Sequence, residues 1–264
     1  MEDHSPLTLL TWNIRNPSVE RAIRQAAWLT EQDADVLILT ECKRSRGNTE
    51  LTDRLQSARY KVVFPILDSS EYGVTIASRL PITRLTPFSS QITTLSSRVV
   101  SMEIAVPFLT TPMEVIGVYV PSRDASPHKK ERKRLFLDSL IRAFEAEPPQ
   151  GERVFAGDLN ILEQKHIPAY KTFMPWEYQF YDSLGRHRLH DAFRHLNPSA
   201  QEHSWVGRTG DGYRYDHCFA SSVLLPWVSR CSYIHAPRRN RLSDHSALLT
   251  EFTPPAHEPS GAPT

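Results

Sequence analysis

Short apolar runs, each closed by a polar or turn-forming residue, recur along this chain and commit it to an architecture built on buried strands. Residues 7–12, 36–39, 60–64, 74–77, 99–106, 113–120, 154–156, 213–219, 231–235 and 248–252 read as strands, punctuated by Gly73, Pro81 and Pro121. Two longer helical stretches separate them. Asn16-Pro17 offers a cap followed by proline at the first helical position, with Val19, Ile23, Ala26 and Ala27 on the core face. Ser126-Pro127 repeats that start for a helix that turns Leu135, Phe136, Leu140 and Ile141 inward and ends at Pro148-Pro149. Shorter helices are expected after residue 42 and through residues 178–184, the second inside a long polar and aromatic insertion. Strands outnumber helices, so the expected fold is an α/β sandwich: two packed sheets with helices outside. No linker rich in proline or glycine interrupts the middle, which gives one domain over residues 1–252. The tail 253–264, with four prolines and little apolar content, is expected to be disordered.

At 264 residues the chain is long enough to bury a sizeable core. No apolar run approaches the ~18 residues that span a bilayer, and residues 7–12 lack the basic flank and length of a signal peptide. A soluble, cytoplasmic protein without membrane contact is therefore expected, in keeping with a mean hydropathy of −0.41. The three cysteines, Cys42, Cys218 and Cys231, form no Cys-x-x-Cys pair, which argues against a disulfide framework and a thiolate zinc site. A metal would be held by oxygen and imidazole. With a net charge of +1 the chain is no polycation drawn to nucleic acid by charge alone. Residues 128–134 and 238–241 are locally basic, either as solvated faces or as phosphate contacts.

Four of the apolar runs end on a side chain with oxygen to offer: Asn13, Glu41, Tyr119, and Asp158 with Asn160. Ligands of open α/β sheets gather beyond the carboxyl ends of strands, so these residues can share one mouth. Ser243-Asp244-His245 precedes the last strand, and Tyr215-Asp216-His217 lies within another. Each has a plainer alternative. Gly157-Asp158-Leu159-Asn160 is also a turn sequence, Ser243-Asp244-His245 also a helix cap, and Glu41 also a solvated carboxylate. Their joint occurrence is what singles out a site.

Thr11-Trp12-Asn13, Thr40-Glu41-Cys42-Lys43, Tyr119-Val120-Pro121, Gly157-Asp158-Leu159-Asn160, Tyr213-Arg214-Tyr215-Asp216 and Ser243-Asp244-His245, in that order, resemble the endonuclease/exonuclease/phosphatase superfamily. Asp191-Ala192-Phe193-Arg194-His195-Leu196-Asn197-Pro198 and His203-Ser204-Trp205 are similar to segments of its exonuclease III type of abasic-site endonuclease. The resemblance implies a four-layer α/β sandwich, two packed and mainly antiparallel sheets flanked by helices. It implies a metal-dependent phosphodiester hydrolase, a DNA nuclease of repair acting as 3′-exonuclease or abasic-site endonuclease, and a monomer. Alternatives are a phosphatase or phospholipase acting on a small phosphoester, or a binding module without turnover. The implied cofactor is Mg2+ or Mn2+, hard cations that suit oxygen donors.

By the same resemblance Glu41 ligates the metal, with Asn13 and Asp244 as direct or water-mediated ligands. Asp158 orients or deprotonates the water, and Asn160 holds it or a phosphate oxygen. His245 donates to a non-bridging oxygen and is kept cationic by Asp216, because a carboxylate neighbour favours the protonated ring. Tyr119 bonds the phosphate or assists the leaving group. Trp205 and Tyr213 stand where that branch has an aromatic pocket, or are core aromatics. Lys43, Arg208, Arg214 and the basic segment near Arg238 contact phosphates. His217, alternating with Asp216 along its strand, is expected to face away. The chain departs from the branch at Arg15, at Ser122 and over residues 161–165.

Overall fold

The computed structural model describes residues 5–65, 71–149 and 151–255. In chain order the strands and helices are β1 (Leu7–Asn13), α1 (Val19–Glu31), β2 (Val36–Cys42), α2 (Arg46–Ser57), β3 (Lys61–Val63), β4 (Gly73–Ser78), β5 (Ile82–Leu85), β6 (Val99–Ile104), β7 (Met113–Tyr119), α3 (Pro127–Ala146), β8 (Arg153–Asp158), α4 (Pro175–Ser183), β9 (Leu189–Asp191), α5 (Ala192–Leu196), β10 (Trp205–Val206), β11 (Gly212–Tyr213), β12 (Asp216–Ser221), β13 (Val228–Ile234), α6 (Ala236–Arg239) and β14 (Ala247–Phe252). They form two six-stranded sheets, β13-β14-β1-β2-β4-β3 and β5-β6-β7-β8-β12-β9, and a small ribbon β10-β11. Pairing is antiparallel except between β1 and β2 and between β7 and β8.

Alternation along each strand makes the layers. Leu9, Ile38 and Ile76 point into a core shared with Met102, Val115, Val154 and Ala220 of the other sheet. Their neighbours Leu10, Leu37, Leu39 and Ala77 face outward onto Ala22, Ala26, Leu29, Leu51 and Leu55 of α1 and α2. On the far side Ile116, Val118, Phe155 and Phe219 receive Phe136, Leu140 and Phe144 of α3 and Phe180 of α4. This is the expected four-layer sandwich. The sheets approach so closely that a Cβ on Gly117 would lie 2.9 Å from Val74 Cγ1 and 3.0 Å from Ile38 Cγ2.

Several local expectations are corrected. Helix α1 is capped by Ser18, whose Oγ accepts from Arg21 N at 3.3 Å, not by Asn16. Its buried stripe is Ala22, Gln25, Ala26 and Leu29, while Val19 and Ile23 are 40% and 38% exposed. In α3 Leu137 joins Phe136 and Leu140 inside, and Leu135 is 43% exposed. The strand expected over 213–219 is broken at Arg214-Tyr215, with β11 pairing to β10 and β12 to β8 and β9. The expected disordered tail lies outside the described residues from residue 256 onward. Among the described residues no helix is long and apolar enough to cross a membrane.

Candidate active site

The two parallel pairs decide where the site is. Their registers set Asn13 beside Thr40 and Tyr119 beside Asp158, so the carboxyl ends of β1, β2, β7 and β8 arrive at one edge of the sandwich. Asp216 opens β12 directly opposite Asp158. His245, just before β14, bridges to Trp205 and is fixed by Ser246 N donating to Ser204 O at 2.7 Å.

Backbone strain collects here. Gly157 has φ +147°, and a Cβ there would stand 1.9 Å from Val118 O, so only glycine lets β8 reach Asp158 beside β7. Glu41 (φ +57°) and Asn160 (φ +49°) are left-handed as well, a conformation that Asn tolerates and Glu adopts only when its surroundings impose it.

Asp158 is the hub. Its Oδ2 accepts from Asn13 Nδ2 at 2.9 Å and its Oδ1 from Asn160 N at 2.9 Å. Asn160 Nδ2 donates to Val120 O at 3.0 Å. Burial first, then the charge of Asp216, pushes the Asp158 carboxyl up to about 7, against the pull of His245 and the Asn13 hydrogen bond. Tyr119 donates its hydroxyl to Glu41 Oε1 at 3.0 Å, and burial followed by the Glu41 charge keeps that phenol well above its usual range. It is thus a neutral donor at any working pH.

His245 Nδ1 and Asp216 Oδ2 are 2.7 Å apart. Burial alone would strip the imidazole of its proton; the Asp216 carboxylate overrides it and lifts the ring to about 9. Tyr233 donates to Asp216 O at 2.6 Å and Asp216 N lies 3.1 Å from Ser204 Oγ, so the dyad rests on fixed neighbours.

Asp158, Asp216 and His245 each bring a donor atom within 4.8 Å of the others, a grouping that could hold a metal ion. A hard divalent cation fits this neighbourhood. Asp216 Oδ1 is buried with no hydrogen-bond partner, and Asp216, Asp158 and Asp244 crowd negative charge around the His245 ring, with Glu41 adding its charge beside Asp158. The residues expected to hold the metal sit on the rim of that group. Glu41 uses Oε1 for Tyr119, while Asn13 accepts from Arg15 N at 3.0 Å through Oδ1. Asp244 accepts from Trp205 Nε1 at 3.3 Å, with Arg15 Nε 3.9 Å away.

The outer residues divide. Trp205, Tyr213 and Tyr215 cluster, with Tyr213 and Tyr215 stacked at 5.1 Å. Lys43 lies over the Tyr72 ring at 4.1 Å, and Arg208 is exposed in the turn between β10 and β11. Arg214 is a correction. It is 0% exposed and paired with Glu163 Oε1 at 3.1 Å and Asp191 Oδ2 at 2.8 Å, because Tyr213 and Tyr215 face the site and the residue between them must turn inward. His217 does face away, bonded to Ile161 O at 3.1 Å and Asp191 Oδ2 at 3.4 Å.

Sequence reasoning missed Tyr215, Tyr170, Phe173, Arg123, Lys133 and Arg98. Tyr215 carried no signal, since alternation through 213–219 would set Tyr213 and Tyr215 on the face opposite Asp216, and only the break at Arg214-Tyr215 brings them to the site. A cavity of about 450 Å3 lies against Asn160, walled by Phe173, Tyr213 and Tyr215 with Arg123, Lys130 and Lys171 at its sides. A second, of about 390 Å3, lies against Tyr119 with Tyr72, Arg98 and Arg132. A cavity of about 490 Å3 around Asp182, His190 and Gln201 has none of the site residues in its lining.

The family model described as Endonuclease/Exonuclease/phosphatase family matches residues 10–245, a span that takes in every residue of the site. The chain belongs to that family. No curated relative matches it by sequence. Its fold is similar to that of an AP endonuclease from Archaeoglobus fulgidus (21% identity, 93% of this chain and 99% of that one, TM-score 0.77). It is similar also to the 3′-phosphatase NExo from Neisseria bound to a product DNA hairpin (21%, 93% and 99%, TM-score 0.79). The 3′-5′ exonuclease NExo from Neisseria meningitidis is a third such structure (22%, 93% and 99%, TM-score 0.78). The Endonuclease/Exonuclease/phosphatase family is one of hydrolases that break phosphoesters, and the neighbours include the abasic-endonuclease type to which the motifs pointed.

Proposed function

We propose that this protein hydrolyses phosphodiester bonds of DNA in repair, as a 3′-exonuclease or abasic-site endonuclease, with Mg2+ or Mn2+ as cofactor. The observation that carries the reading is the opposition of a clamped carboxylate, Asp158, to a buried imidazolium, His245 held by Asp216, within 4.8 Å. Breaking a phosphodiester needs a deprotonated nucleophile on one side and positive charge on the phosphoryl oxygens on the other. Glu41, with Asn13 and Asp244, would hold the cation, which supplies Lewis acidity at the phosphate and at the leaving oxygen.

The chain's own residues do the rest. Asp158 accepts the proton of the attacking water while Asn13 and Asn160 keep its carboxylate aimed. Asn160 offers its carboxamide to that water or to the phosphate. His245 donates to a non-bridging oxygen, and its charge stays in place because Asp216 neutralises the cost of burying it. Tyr119, a neutral donor, bonds the phosphate or the departing oxygen. Trp205, Tyr215 and the edge of the stacked Tyr213 wall the place for a splayed or terminal nucleotide. Lys43 and Arg208 contact flanking phosphates. The protein acts as a cytoplasmic monomer.

End-labelled duplexes with and without an abasic analogue, incubated with Mg2+ and with a chelator, test the reading. Cleavage that needs the metal is expected. Intact DNA beside hydrolysis of a small phosphoester would instead favour the second reading, a phosphatase or phospholipase, for which a cavity of about 450 Å3 is roomy enough.

A further inference from the structure

The basic stretch 128–134 opens helix α3, and one of its members does not face solvent. Lys133 is 1% exposed, and its Nζ lies 2.6 Å from the carbonyl oxygen of Asn160 and 2.7 Å from Glu177 Oε1. Glu177 is itself 0% exposed. Its Oε2 accepts from Met174 N at 2.8 Å and from the guanidinium of Arg123, Nε at 3.1 Å and Nη2. Arg123 Nη2 donates further to Thr172 O at 2.6 Å, and the guanidinium sits 6.0 Å from the Phe173 ring.

An ammonium buried in a protein loses hydration that only well-aligned partners offset, and an apolar residue would fill the same space at less cost. What Lys133 obtains in exchange is a grip on one peptide. Asn160 is left-handed at φ +49°, its N–H is on Asp158 Oδ1 at 2.9 Å and its Nδ2 on Val120 O at 3.0 Å. The hydrogen bond to its carbonyl fixes the third direction. With all three held, the Asn160 carboxamide has one orientation beside Asp158, and Asp158 keeps the donor that aims it.

We infer that Lys133 is a positioning residue of the hydrolytic centre, holding the Asn160 peptide from behind, and that Glu177 and Arg123 tie this restraint to the 172–177 wall of the adjacent cavity. The inference rests on the function proposed above. Substrate seated against Phe173 and Tyr213 thereby presses on the same network that orients Asn160. Lys133 does not touch the reacting atoms; it acts through Asn160.

The test uses the full chain with Mg2+ and a chromogenic phosphodiester, comparing Lys133→Met, Asn160→Ala, the two together, and Lys133→Met with Glu177→Gln. Lys133→Met is expected to lower kcat by about tenfold or more with KM within about twofold, the mark of lost orientation rather than lost binding. Asn160→Ala is expected to cost about 100-fold alone, and Lys133→Met should then cost no more than about twofold in the Asn160→Ala background, since Lys133 acts through Asn160. The Lys133→Met, Glu177→Gln pair removes both charges together, keeps the fold measurable by its thermal midpoint if the single variant unfolds, and should show the same kcat deficit. Losses that multiply independently, or wild-type kcat in a folded Lys133 variant, overturn the positioning role alone. A wild-type protein inert to every phosphoester overturns the function and this role with it.

Discussion

The imidazole of His245 and the carboxylate of Asp216 meet at 2.7 Å while 6% and 0% exposed, so the ring's charge is set by neighbouring carboxylates, Asp216 foremost, and not by solvent. Burial pulls its pKa down from 6.5 and Asp216 pushes it up, with a result of about 9. The proton is held below that pH and released above it. The proposed reaction needs His245 charged and Asp158 ionised, and burial with the Asp216 charge lifts the Asp158 carboxyl to about 7.

The pH profile of kcat/KM should therefore rise through the Asp158 limb and fall near 9. Asp216→Asn leaves the burial and removes the carboxylate, so the alkaline limb should drop below 7. A limb that stays near 9 in that variant would show that His245 is not the group being read. The same coupling adds stability below the unfolded value of 6.5 that is lost as pH rises through 9.

Asp158→Asn replaces a double acceptor by a group with one acceptor oxygen, facing donors from both Asn13 and Asn160. One of the two must lose its partner. Turnover is expected to fall by at least ~100-fold, and His245→Ala should do the same through the opposite side of the reaction. Steady-state kinetics check both, and near wild-type rates in either would show the role misassigned.

Three carboxylates around one buried ring should be relieved by a divalent cation. At a hundredfold excess over its Kd, Mg2+ should stabilise the fold by about 2.7 kcal/mol and raise the thermal midpoint by roughly 5 °C or more. Glu41→Ala should abolish most of that gain. An equal gain in the variant would remove Glu41 from the ligand set.

What the sequence revealed follows from what hydrophobic pattern can carry. Asn13, Glu41, Tyr119 and Asp158 were legible because a buried strand that ends on an oxygen-bearing group breaks its own pattern. The face of α1 was not, because Gln25 takes a core position that polarity argues against. Its amide is buried satisfying Ile14 O at 2.9 Å and Leu242 O at 2.7 Å, the latter from a distant part of the chain. Arg214 was misplaced because the break in the strand at 214–215 leaves no trace in composition, and Lys133 meets Asn160 and Glu177 only through tertiary packing.

Arg214 should then matter for folding rather than for substrate. Burial opposes the Asp191 charge, yet Arg214 and His217 hold that carboxyl far below the usual range. Asp191 thus contributes stability above the unfolded value of 3.8 that persists well into acid. Arg214→Met strips the guanidinium from buried Asp191, while Glu163 keeps Arg194, and is expected to cost about 3–5 kcal/mol in urea unfolding and to move acid unfolding to higher pH. Arg208→Ala, at an exposed turn, should change neither.

Tyr213 separates the nuclease reading from the small-ester one. Its ring is stacked between Tyr170 at 4.3 Å and Tyr215 at 5.1 Å, and it lines the cavity beside Asn160. Tyr213→Ala removes the middle ring of that stack and should raise KM for an end-labelled duplex by about tenfold or more, because the nucleotide loses an aromatic wall worth about 1–3 kcal/mol. Hydrolysis of a chromogenic phosphodiester with no base should change by less than about threefold, since Asp158, His245 and the metal donors are untouched. Equal losses on both substrates would mean that the ring merely supports the fold. An unchanged KM on DNA would mean that no base reaches this wall.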